Sequence, residues 1–166
     1  MHDNQRGPLE DRAPVDPDVD LRSRRQRREL RRHGIEVLAA IAAGGMLGAA
    51  GRYAIDVAMP TSAGAFPWGI WVVNTTGCLL IGVLMVLVVD VGSVHRLVRP
   101  FLGVGVLGGY TTFSTAAVDT QTLIVAGHPG LALAYLFGTA AAALAAVTVG
   151  VALTRAVALP RPRTRR

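Results

Sequence analysis

Lysine is absent from this 166-residue chain, so its 17 basic residues are all arginine. Cysteine occurs once, at Cys78, which excludes an internal disulfide and a zinc site built on thiolates. Charged residues make up 17% of the sequence, against roughly a quarter in soluble chains, and aromatic residues only 5%. Since 51% of the residues are hydrophobic, the composition is that of a membrane protein and not of a soluble domain.

The net charge of +6 lies at the two ends of the chain. Residues 1–36 contain nine arginines and no apolar run, which predicts a disordered, Arg-rich tail and does not fit a signal peptide. Residues 155–166 form a second basic tail. We interpret the arginines at 22–32 as a topology signal that also contacts anionic headgroups. Nucleic-acid binding has nothing but charge in its favour, so we expect no nucleic-acid partner.

Four apolar stretches fill residues 37–154, at about 37–58, 68–89, 98–126 and 131–153. Each reaches the roughly 20 residues that a helix needs to cross a bilayer. The sequence therefore predicts an all-α membrane protein with four transmembrane helices in one membrane domain, 37–154. Of the three connecting loops, only 90–100 is basic. By the positive-inside rule we expect that loop and both termini in the cytoplasm, and the protein in the plasma (inner) membrane.

Two polar residues in the first half of this domain have two interpretations each. Arg52, near the end of the first span, reaches headgroups or else draws anions into a vestibule. Asn74, in the second span, hydrogen-bonds another helix or donates its amide to a permeating anion. The glycines at 44 and 48 lie on one helix face, where they let another backbone approach, although this spacing is common in membrane helices.

The third span is irregular, because Gly108 and Gly109 are followed by Tyr-Thr-Thr-Phe-Ser-Thr, with five hydroxyls in six positions. Glycine and threonine disfavour a regular helix here. A break would free backbone groups for an ion site, whereas a kink held by Ser and Thr side chains is the alternative. Asp119 is interpreted as a structural carboxylate. On the fourth span Tyr135 and Thr139 share a face, which packing alone would also explain.

Three motifs resemble the small bacterial fluoride channels of the Fluc, or CrcB, family. They are Gly-Gly-x-x-Gly-Ala-x-x-Arg-Tyr at 44–53, Gly-x-x-x-x-Asn-x-x-Gly at 69–77 and Gly-Gly-x-Thr-Thr-Phe-Ser-Thr at 108–115. The third motif is specific, whereas the first is not. The three motifs occur in this order within a four-span chain, and the likeness covers essentially the whole membrane portion. The tails are unmatched.

The resemblance implies an antiparallel, dual-topology-type dimer of four-helix subunits with a broken third helix and two fluoride pores. It implies that the chain exports cytoplasmic fluoride as a passive channel and so lowers fluoride toxicity. Arg52 would lie at a vestibule. A structural sodium ion, not transported, would bind backbone carbonyls of Gly108 and Thr111. The pore residues would be Asn74, Phe113, Ser114, Thr115, Tyr135 and Thr139.

Two positions depart from the family pattern, since Ala116 replaces a second phenylalanine and Ala143 replaces a hydroxyl after Thr139. A homodimer lacking a phenylalanine should have a damaged pore, and the one-sided arginines favour a fixed orientation. We therefore expect a heterodimer whose partner is a homologous second subunit of inverted charge bias. A non-conducting scaffold subunit is the alternative.

Two other functional classes fit the sequence poorly. A proton-coupled small-drug transporter needs an acid in the middle of the first span, but Glu36 precedes that span and Asp56 ends it. An enzyme would need a nucleophile with its base and acid, or a metal-ligand cluster, in or beside the spans, and the sequence suggests neither. We therefore expect a protein that is not an enzyme.

Overall fold

The structure, a computed structural model, describes residues 24–89 and 95–158, and within these ranges all regular structure is helical. The predicted all-α class is thus confirmed for this part of the chain. The helices in chain order are α1 (Arg24–Ala58), α2 (Trp68–Val89), a π-helix (Arg99–Leu107), α3 (Gly108–Tyr110), α4 (Ser114–Val125) and α5 (Pro129–Ala158).

Among the described residues, four helical segments are long and apolar enough to cross a membrane, as the sequence predicts. They are Gly34–Ala58, Trp68–Val88, Arg99–Val125 and Pro129–Ala158, the third of which combines the π-helix, α3 and α4. Large apolar side chains such as Met46, Leu144 and Val157 are exposed on them. Helices that are apolar all round suit a lipid environment, where no polar outer face is needed.

The outer helices run beyond the predicted span limits. Helix α1 begins at Arg24, thirteen residues before the predicted start at 37, and α5 continues to Ala158. The segment 24–36 was expected to be disordered but is helical. Its arginine, glutamine, glutamate and leucine residues are good helix formers, and extending an existing helix needs no new nucleus. Most of both predicted tails and part of the 90–100 loop lie outside the described residues.

The chain divides into two units, Met1–Glu36 and Val37–Arg166. In the first unit the described residues form the opening turns of α1. The second unit contains the rest of α1 and all the other helices, so every contact described below lies within it.

Glycines bring the helix backbones of the second unit together. A Cβ atom at Gly48 would fall on the carbonyl oxygen of Val106, and one at Gly109 on that of Gly45. Between α2 and α5, a Cβ at Gly82 would fall on the carbonyl oxygen of Val147 in the same way. Small residues at such crossings let backbones approach closely, which is a common packing mode of membrane helices. The span-one glycines therefore do form a helix contact.

An aromatic cluster packs near the start of α2 and fixes the position of α5. The Phe66 ring lies edge-on to Tyr135, with 5.2 Å between ring centroids, and is also 4.5 Å from Trp68. Tyr135 is fully buried and belongs to a core with Ile70, Ala116, Leu123 and Ala132. Edge-to-face rings of this kind stabilise the contact beyond their buried area.

Candidate functional site

The helical backbone of the third span stops between α3 and α4. Helix α3 ends at Tyr110, Thr111 has an extended conformation with ψ 153°, and α4 begins at Ser114. Within membrane depth such non-helical backbone has to find hydrogen-bond partners in the protein, in water or in an ion. The partners of this segment therefore define the site.

Asn74 of α2 binds the peptide groups of Thr112 with both ends of its side chain. Its Nδ2 donates to the Thr112 carbonyl oxygen at 2.9 Å, and its Oδ1 accepts from the Thr112 N–H at 2.9 Å. Because one amide atom faces a donor and the other an acceptor, the orientation of the amide is fixed. Asn74 is only 8% exposed, so it forms the interhelical hydrogen bonds that were one of its two interpretations.

The Thr112 side chain caps the start of α4. Its Oγ1 accepts from the Thr115 N–H at 3.2 Å and lies 3.0 Å from Thr115 Oγ1 and 3.3 Å from Ser114 Oγ. The hydroxyl thus satisfies an N–H of the first turn of α4 from the residue before the N-cap position, Phe113. Our sequence reasoning did not single out Thr112, although a threonine two residues ahead of a renewed helix is the signal that would have found it.

These bonds leave two carbonyl groups without the N–H donors that they would have in a continuous helix. In a continuous helix the Gly108 carbonyl would accept from the Thr112 N–H, and the Thr111 carbonyl from the Thr115 N–H. Both N–H groups instead donate to side chains, Asn74 Oδ1 and Thr112 Oγ1. The two residues predicted to bind sodium are thus among those whose helical donors are engaged elsewhere. Carbonyl oxygens are the ligands that hard cations take, so the donor set fits this ion.

A cavity of about 400 Å³ adjoins the interruption and brings five predicted site residues together. Among the described residues its walls include Asn74, Thr111, Phe113, Tyr135 and Thr139, together with Cys78, Thr112, Ala116, Leu136, Phe137, Ala140 and Ala143. Four predicted residues lie outside this lining: Arg52, Gly108, Ser114 and Thr115. The last of them contacts Thr112, which is in the wall. Both positions that depart from the family pattern, 116 and 143, are in the wall.

The polar groups of α4 and α5 are hydrogen-bonded to one another. Tyr135 donates its hydroxyl to Asp119 Oδ2 at 3.2 Å, and the Thr139 hydroxyl donates to the Tyr135 carbonyl at 2.6 Å. Asp119 therefore has the structural contact that was expected of it. The Thr139 hydroxyl has already used its proton, so it offers an acceptor and not a donor to the cavity.

Two aromatic rings of the cavity wall face outward from the subunit. Phe113 is 80% exposed and Phe137, on α5, is 68% exposed, whereas Ala116 is buried in the core around Tyr135. Our sequence reasoning missed Phe137, and the signal that would have found it is a second aromatic residue, two positions after Tyr135, in an otherwise aliphatic helix. The edge of a phenylalanine ring is the positive part of its quadrupole, so an exposed ring beside a cavity can face an anion edge-on.

Two neighbouring threonines of α2 offer a matched pair for stability measurements. Thr75 Oγ1 is buried and, within the described part of the chain, has no hydrogen-bond partner, whereas Thr76 Oγ1 bonds the Val72 carbonyl and the Tyr110 hydroxyl. We expect Thr75→Val to leave the melting temperature in detergent unchanged or to raise it, and Thr76→Val to lower it by the loss of about 1–3 kcal/mol. A lower melting temperature for Thr75→Val would contradict this assignment.

Comparison with known proteins gives consistent matches over the membrane domain. The profile of the family described as "CrcB-like protein, Camphor Resistance (CrcB)" matches residues 39–151. The chain is 51% identical over 124 residues to "Fluoride-specific ion channel FluC 2" of Streptomyces avermitilis, covering 75% of this chain and 78% of that protein. It is 55% identical over 111 residues to "Fluoride-specific ion channel FluC 1" of Streptomyces coelicolor (67% and 72%). "Fluoride-specific ion channel FluC 2" of Nocardia farcinica is 53% identical over 119 residues (72% and 85%).

Proposed function

The chain belongs to the CrcB family, whose matched members are named fluoride-specific ion channels, and on that premise we propose that it is a subunit of a passive channel through which cytoplasmic fluoride leaves the cell. Four apolar helices and this family make it a multi-pass membrane protein and not an enzyme. Fluoride enters cells as a neutral weak acid and ionises in the cytoplasm, so an anion pore suffices to lower its toxicity.

The observation that carries the proposal is the cavity beside the interrupted span. It combines exposed phenylalanine rings, from Phe113 and Phe137, with the amide of Asn74. Tyr135 and Thr139 complete the wall, with their hydroxyl protons given to Asp119 and to the Tyr135 carbonyl. Asn74 Nδ2 has a second hydrogen beyond the one given to Thr112, which a small anion would accept. Ser114 and Thr115 add hydroxyls next to this wall, and Arg52 would draw anions into a vestibule.

A structural sodium ion completes the proposed site. We assign its ligands to the carbonyl oxygens of Gly108 and Thr111, whose helical N–H partners are bound by side chains. Bound there, sodium would supply a fixed positive charge close to the anion path and hold two interrupted spans together. Gly108 is exposed in this subunit, which supports carbonyls being shared with a second subunit.

We propose an antiparallel dimer whose pores lie along the subunit interface. Both termini of this chain would lie in the cytoplasm, and the dimer in the plasma (inner) membrane. The outward-facing Phe113 and Phe137 support a second subunit covering this wall. One strain of Streptomyces avermitilis carries relatives numbered FluC 2 and FluC 3, which supports a homologous partner and hence a heterodimer. The one-sided arginines would then fix the orientation.

Fluoride efflux from proteoliposomes, followed with a fluoride electrode, tests the function. We expect the chain, alone or with its homologous partner, to release fluoride, and Phe113→Leu in this chain to reduce the rate by at least about tenfold, the effect of ~1.4 kcal/mol on a barrier. The matched control is Leu133→Ala, an exposed apolar residue of α5 outside the cavity lining. Absence of efflux in both preparations would refute the channel proposal.

A non-conducting scaffold subunit is the second candidate, because Ala116 and Ala143 leave the wall without two side chains expected from the family pattern. The same experiment decides between the two. A heterodimer whose efflux is unchanged by Phe113→Leu in this chain, but is lost when the partner's equivalent residue is changed, would make this chain a scaffold.

A further inference from the structure

We propose that Asn74 and Thr112 are positioning residues that set the cation affinity of the interrupted span, by holding the two N–H groups that would otherwise occupy its carbonyl ligands. The proposal rests on the sodium ion proposed above. It makes neither side chain a ligand. Each acts through a backbone group, Asn74 on the Gly108 carbonyl and Thr112 on the Thr111 carbonyl.

The Gly108 carbonyl is released by a residue on another helix. The Thr112 N–H, its partner in a continuous helix, donates to Asn74 Oδ1 at 2.9 Å. The second bond, from Asn74 Nδ2 to the Thr112 carbonyl, holds the amide so that Oδ1 stays on the N–H. Since both bonds are buried, water does not compete for either group. The packing of α2, which carries Asn74, therefore decides whether the Gly108 carbonyl is available to a cation.

The Thr111 carbonyl is released from within the interruption. Its helical donor would be the Thr115 N–H, which Thr112 Oγ1 accepts at 3.2 Å. The same hydroxyl contacts the hydroxyls of Ser114 and Thr115, which restrict its rotation. Asn74 thus binds the backbone of Thr112, and the side chain of Thr112 binds Thr115. Because both interactions involve Thr112, the release of the Gly108 carbonyl is coupled to that of the Thr111 carbonyl.

Loss of either side chain should let the helix close. A buried N–H that loses its acceptor is costly, so the Thr112 N–H would move to the Gly108 carbonyl, and the Thr115 N–H to the Thr111 carbonyl. A carbonyl that already accepts an N–H is a poorer cation ligand, and the N–H dipole points its positive end at the site. Cation binding should therefore weaken even where the fold is kept.

Four variants separate this role from a merely structural one. Thr112→Val preserves the shape of the side chain but removes the acceptor Oγ1, whereas Thr112→Ser retains it. Asn74→Leu removes both ends of the amide at nearly constant volume. Thr120→Val is the matched control, because the Thr120 hydroxyl donates within α4, to the Ala116 carbonyl at 2.8 Å.

The measurement is the melting temperature of the purified, assembled channel in detergent, titrated with sodium chloride and, in parallel, with N-methylglucamine chloride. We expect sodium alone to raise the melting temperature of the wild type. In Thr112→Val and Asn74→Leu, the sodium concentration that gives a chosen rise should increase by at least about tenfold, since the rise depends on the ratio of sodium concentration to dissociation constant. Thr112→Ser and Thr120→Val should need the same sodium concentration as the wild type.

Several outcomes would overturn the proposal. One is a Thr112→Val variant that needs no more sodium than the wild type for the same rise in melting temperature. Another is a shift in Thr112→Ser as large as that in Thr112→Val, because the hydroxyl would then not be responsible. If Asn74→Leu does not fold, the two Thr112 variants decide alone. A wild type without any sodium dependence overturns the sodium site and this proposal together, while fluoride efflux from the same preparation would leave the channel function standing.

Discussion

Gly48→Ala is expected to be among the most damaging single substitutions in this chain. The added Cβ would fall on the carbonyl oxygen of Val106 and lie 2.7 Å from the backbone nitrogen of Tyr110. Because both are backbone atoms, no side-chain rotation relieves the overlap, so α1 has to move away from the π-helix. Overpacking usually costs about 1–3 kcal/mol and occasionally more, and here we expect a loss at or above the upper value. The fluorescence-monitored melting temperature in detergent checks it.

Gly45→Ala is the matched control for this substitution, three residues earlier on the same helix. A Cβ at Gly45 would meet no atom within 4 Å. We therefore expect a stability within about 0.5 kcal/mol of the wild type, or slightly higher because alanine is the better helix former. Equal melting temperatures for the two variants would show that α1 and the π-helix are not in backbone contact in the membrane protein.

Tyr135→Ala should cost about 3–5 kcal/mol of stability, the range for removal of a buried aromatic side chain. Tyr135 is completely buried, packs edge-on against Phe66 and donates to Asp119. Tyr135→Phe keeps the ring and loses only the hydrogen bond to the carboxylate, for which we expect about 1–3 kcal/mol. Thermal melts of both variants, with fluoride efflux for Tyr135→Phe, separate packing from the hydrogen bond.

Phe137→Ala is the control, since its ring lies on the same helix two residues away but is 68% exposed within the subunit. We expect it to change subunit stability little and to reduce fluoride efflux, the opposite of a core residue. If Tyr135→Ala melted no lower than Phe137→Ala, the burial of Tyr135 would not hold in the folded protein.

Much of the fold followed from the sequence, because crossing a bilayer needs about 20 apolar residues and that requirement is local. The four spans follow from this requirement. The glycine contacts of span one and the irregular third span were indicated by residue types and their spacing, which are also local. The boundary at residue 37 was not, since the arginines that end an apolar stretch are themselves good helix formers. The candidate site was predicted in part, with Asn74, Thr111, Phe113, Tyr135 and Thr139 in one cavity wall.

The sequence by itself determined the class of this protein and the number of its spans, since both depend on composition and period along the chain. Only the tertiary structure decided how the polar residues are used. Asn74 hydrogen-bonds Thr112 with both amide atoms, and the Thr112 hydroxyl accepts from the N–H of Thr115 at the start of α4. A buried polar group needs a hydrogen-bond partner, and the tertiary structure decides which group is close enough to be that partner. That partner is 38 residues away in the chain, where no local pattern specifies it.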